Sequence, residues 1–66
     1  MNITLNGEAQ QIDDGINLQQ LIDQQDLAGK RIAVEVNLDI VPRSQFDSHI
    51  LSEGDQIEIV HAIGGG

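Results

Sequence analysis

The sequence predicts an α+β domain: one mixed sheet of about five strands with a single helix packed across one face. Apolar and polar residues alternate at 1–6, 31–37 and 56–62, the period of two of a strand with one buried face. Only one stretch, with Leu18, Leu21 and Ile22 spaced i, i+3, i+4, has the period of a helix. At 66 residues the chain makes one domain. The economical layering is then a single sheet covered on one side, its other face meeting water or a partner.

The elements follow in order. Met1, Ile3 and Leu5 alternate with Asn2, Thr4 and Asn6 as the first strand. Asn6-Gly7 suits a two-residue type I′ turn, because both residue types tolerate positive φ, and residues 8–12 form a polar return strand. Asp13-Asp14-Gly15 ends it. Asn17 is a good N-cap with Gln20 placed to close a capping box, so a short amphipathic helix starts there and ends before Gly29. Ile32, Val34 and Val36 mark the third strand, and Asn37 to Asp39 turn the chain into the short pair Ile40-Val41. Pro42 withdraws a donor and limits that fourth strand to an edge. Ser44 to Asp47 can cap a single helical turn, with Phe46, the lone aromatic residue, as a core plug. After a turn at Glu53-Gly54-Asp55, residues 56–62 form the last strand, with Ile57 and Ile59 on one face and Val60 and Ala62 on the other.

Composition narrows the function. Three basic against eleven acidic side chains give a net charge of −8, which opposes nucleic acid and an anionic membrane surface. Without cysteine there is no disulfide, thiolate nucleophile or thiolate metal site. No stretch reads as a signal peptide or a membrane span, which points to a soluble cytoplasmic protein. His49 and His61 have no other imidazole or thiol to share a metal with, so they read as surface or strand-end residues. Asp13-Asp14 and Glu53/Asp55 flank glycines in turns, where carboxylates are solvated and accept backbone hydrogen bonds. Ser44, Ser48 and Ser52 lack an adjacent base.

The chain ends Ile63-Gly64-Gly65-Gly66, and this tail is the candidate functional group. Three positions without Cβ allow an extended backbone to thread a narrow channel in a partner. The α-carboxylate of Gly66 is ionised at neutral pH and a poor electrophile until activated. Val60, Ala62 and Ile63 lead straight into the glycines from the uncovered face, so they are the candidate docking surface.

Asn6-Gly7, Ala33-Val34-Glu35-Val36-Asn37, Ile40-Val41-Pro42-Arg43, and Gly54-Asp55-Gln56-Ile57-Glu58-Ile59-Val60 running into Gly64-Gly65-Gly66 together resemble the ThiS family. These are thiamine-pathway sulfur carriers among the ubiquitin-like β-grasp proteins, and the likeness covers essentially the whole chain. Two departures are minor: Asn17 stands where Thr or Ser is common, and there is a third terminal glycine. The resemblance implies a β-grasp domain over residues 1–63, a flexible tail over 64–66, and a carrier rather than an enzyme. An E1-like adenylyltransferase of the ThiF type would consume ATP to adenylate Gly66, and a persulfide donor would convert it to a thiocarboxylate. A ThiG-type thiazole synthase would then take the sulfur. No cofactor would be bound by the carrier itself. A sulfur carrier of the molybdopterin pathway, a ubiquitin-like protein modifier and a plain interaction module remain as alternatives.

Overall fold

The computed structural model describes residues 1–61, and five strands and one α-helix form there: β1 (Asn2–Leu5), β2 (Glu8–Gln11), α1 (Leu18–Gln24), β3 (Ile32–Val36), β4 (Asp39–Val41) and β5 (Gln56–His61). The sheet order is β2-β1-β5-β3-β4. β1 and β5 run parallel, and every other neighbouring pair is antiparallel. The last strand in sequence thus lies at the centre of the sheet.

Each hairpin has a two-residue loop. Leu5 pairs with Glu8 around Asn6 and Gly7, at φ 51° and 83°, which matches the type I′ turn expected there. Val36 pairs with Asp39 around Asn37 and Leu38, at φ 52° and 72°. The second loop adopts the same positive φ values with a leucine in the glycine position.

The helix begins as expected. The Asn17 side chain accepts from Gln20 N at 2.8 Å, and Asn17 N donates to Gln20 Oε1 at 2.9 Å, a complete capping box. It ends before Gly29, as expected, with Gln24 its last residue. Asp26 takes the left-handed conformation at φ 60°, Asp26 N donates to Asp23 O, and Leu27 N donates to Ile22 O, each at 3.1 Å. This is a Schellman motif with aspartate in the usual glycine place. An aspartate there meets both left-handed strain and the negative end of the helix dipole. Asp26→Gly is expected to stabilise the fold by about 1 kcal/mol, read as a raised melting temperature. An unchanged or lower value contradicts this account of the helix end.

Leu18 and Leu21 have no exposed surface and Ile22 almost none, and they pack on a core that includes Ile3, Leu5, Val34, Val36, Ile57 and Ile59. Phe46 is buried, as its role of core plug requires. The helical turn beside it is a 3-10 segment, Arg43–Gln45, whose N-cap lies two residues earlier than the serine signal suggested. Pro42 occupies the N-cap without a side-chain hydrogen bond. Its fixed φ, here −68°, sets the entry of the chain in place of a serine cap.

Candidate functional site

β5 ends at His61, the last described residue, and two asparagines fix it from either side. Asn6 Oδ1 accepts from Ile59 N at 2.8 Å, and Asn6 Nδ2 donates to Ile59 O at 3.2 Å. Asn37 Oδ1 accepts from Gln56 N at 3.0 Å, and Asn37 Nδ2 donates to Asp55 Oδ1 at 3.0 Å. Both residues hold the first position of a two-residue hairpin loop, so each turn also serves as a clamp on the neighbouring strand. The sequence pattern offered a signal for this only in hindsight: Asn at the head of each loop was visible, but which strand it would reach was not.

Alternation along β5 buries Ile57 and Ile59 and exposes Gln56, Glu58 and Val60. Val60 is 59% exposed and lies opposite Ala33, itself exposed. One row further, Glu35 stands between Glu58 on β5 and Ile40 on β4. Two carboxylates directly opposite each other repel, so this row favours a cation from outside the chain. The face opposite α1 is therefore part apolar and part acidic. β5 ends at His61 beside Ile32. Ala62, Ile63, Gly64, Gly65 and Gly66, the rest of the expected docking surface and tail, lie outside the described residues.

The other candidate groups have structural occupations. Asp14 is ion-paired with the N-terminal amine at 3.0 Å, Glu53 accepts from Asn2 N, and Asp55 Oδ2 accepts from Ser52 N at 2.8 Å. Ser48 Oγ donates to Gln45 O at 3.2 Å. His61 is exposed at a strand end and His49 is half-buried. Among the described residues there is no buried polar or charged side chain, and no cluster of three metal-ligating groups. A cavity of about 210 Å³ opens on the helix side, with Ile22, Ile32, Phe46, Lys30 and Arg43 among the residues that line it. It contains no carboxylate, hydroxyl or imidazole that could perform acid-base or nucleophilic work. No helix among the described residues is long and apolar enough to cross a membrane.

Comparison with known proteins follows the same lines. A family model described as the ThiS family matches residues 3–66. The sulfur carrier protein ThiS of Escherichia coli is 38% identical over 66 residues, which is all of both chains. A protein named thiazole synthase in Magnetococcus marinus is 42% identical over 66 residues, and the present chain spans 20% of its length. The crystal structure of the thiamine biosynthesis protein ThiS from Geobacter metallireducens superposes with a TM-score of 0.87 at 30% identity, covering all of both chains. The five-stranded mixed sheet with one helix is thus the ubiquitin-like β-grasp fold, and the chain belongs to the ThiS family of sulfur carrier proteins.

Proposed function

We propose that this chain carries sulfur for thiamine biosynthesis as a thiocarboxylate on Gly66. The observation that supports this most is the end-to-end similarity to a sulfur carrier, joined to a fold whose central strand, β5, is the last element before the glycines in sequence. The chemistry follows from the carboxylate. An E1-like enzyme of the ThiF type directs the Gly66 carboxylate onto the α-phosphorus of ATP, releasing pyrophosphate and leaving an acyl adenylate. The terminal sulfur of a persulfide attacks the acyl carbon and displaces AMP. Attack by a second thiol of the donor system on the resulting acyl disulfide then releases the thiocarboxylate. The carrier has no cysteine, so no thiol of its own competes for the activated carboxyl. It acts as a co-substrate, with Gly64 and Gly65 threading the partner's channel.

Sulfur delivery to a thiazole synthase of the ThiG type draws support from the Magnetococcus protein of that name, which includes a segment similar to the whole of this chain. One polypeptide with both parts keeps donor and acceptor at high effective concentration. The test of the carrier reading is pyrophosphate exchange. With the cognate activating enzyme and ATP, labelled pyrophosphate is expected to enter ATP only when this chain is present, and exchange independent of the chain contradicts the reading.

The activating enzyme docks on the uncovered face around Val60, and Ala62 and Ile63, which follow in sequence outside the described residues, are the further docking candidates. Val60→Asp is expected to leave the melting temperature nearly unchanged, because the side chain is exposed, and to weaken binding by about 1 kcal/mol or more. Calorimetric titration beside a melting curve decides this. Undiminished affinity removes Val60 from the interface, and a collapsed melting temperature assigns it to the core.

A further inference from the structure

Leu38 is 81% exposed and sits at φ 72°, and neither property is explained by folding. A two-residue loop with positive φ at both positions favours glycine second, and a branched apolar side chain there is strained without burying anything in return. The same chain contains the relaxed version of this turn in Asn6-Gly7. Strain kept where a simpler residue would serve points to a use at that position.

The loop is also held rigidly. Asn37 N donates to Gln56 O at 2.8 Å, and the Asn37 side chain is bonded to Gln56 N and the Asp55 carboxylate. An exposed apolar knob on a fixed base loses little freedom on docking. Its setting continues the surface described above: Ile40, 75% exposed, stands two residues on, and shares a row with Glu35 and Glu58. Asp39 and Asp55 add negative charge near the loop. The three basic side chains are elsewhere: Lys30 and Arg31 precede β3 and Arg43 follows β4, at the strand ends remote from this hairpin.

We propose that Leu38 anchors the carrier to its activating enzyme by entering an apolar socket rimmed with basic side chains. The contact runs from Val60 and Ala33 past Ile40 to the hairpin tip. This inference rests on the carrier reading above, and it extends the docking surface to the end of the sheet away from His61.

The test measures sulfur loading by the cognate activating enzyme at varied carrier concentration, beside melting curves. Leu38→Gly is expected to raise the melting temperature and to raise KM for the carrier by about tenfold, with kcat unchanged. Leu38→Met is expected to restore KM, since it returns an apolar side chain to the socket. An unchanged KM in Leu38→Gly, with the parent protein loaded normally, overturns the anchor alone. A lowered melting temperature also overturns it, by showing that Leu38 serves the fold. If the parent protein is not loaded at all, the carrier reading fails and the anchor with it.

Discussion

Leu21→Ala is expected to cost about 2 to 5 kcal/mol of stability, a large share of what so small a domain has. The side chain has no exposed surface and lies on the one α-helix among the described residues, between Leu18 and Ile22 and against the sheet. A single sheet covered by one helix has no second layer that could collapse into the void, so the cavity term adds to the lost transfer free energy. The helix is seven residues long, too short to persist without its packing. Loss of Leu21 therefore weakens the sheet and the helix together, and a denaturant titration reads it as a lower midpoint. An unchanged midpoint shows that a different face of α1 is buried.

Removal of Gly65 and Gly66 is expected to abolish sulfur loading while the melting temperature stays nearly constant. Glycine contributes no side chain to a core, and among the described residues the core runs from Ile3 to Ile59. The shortened chain still ends in a carboxylate, on Gly64, so the variant separates chemistry from reach. If the glycines thread the enzyme as proposed, a carboxylate that stops two residues short does not arrive at the α-phosphorus of the bound ATP. A shortened carrier that is loaded as well as the parent contradicts the threading role of the glycines.

The sequence was most legible where structure is local. Period-two alternation gave β1, β3 and β5, and Asn17 with Gln20 gave the helix start, because each depends on residues within a few positions of one another. The helix end was less legible. A glycine at 29 drew attention, while Asp26 took the left-handed conformation with two backbone hydrogen bonds. Strand order was not legible at all: β5 pairs with β1 across 52 positions, as in Thr4 with Gln56, and with β3 across 21 to 29, and no local pattern records that. The clamps of Asn6 and Asn37 on β5 depend on the same long-range placement. Leu38 carries no turn signal, because Gly, Asn and Asp supply those signals and a leucine in such a loop breaks the rule. Val60 was legible on the uncovered face, since alternation and the supply of helices decide it. Gly66 stood out by composition, and its proposed chemistry came from family likeness.

The central claim is that sulfur is carried on the Gly66 carboxyl. Its most direct test is the mass spectrum of the intact chain after incubation with the activating enzyme, ATP and a persulfide donor, with fragmentation to locate any change. One oxygen is expected to be replaced by sulfur, found only in fragments that contain Gly66. Sulfur in fragments lacking Gly66, or an unchanged mass when the enzyme is active on ATP with this chain present, contradicts it.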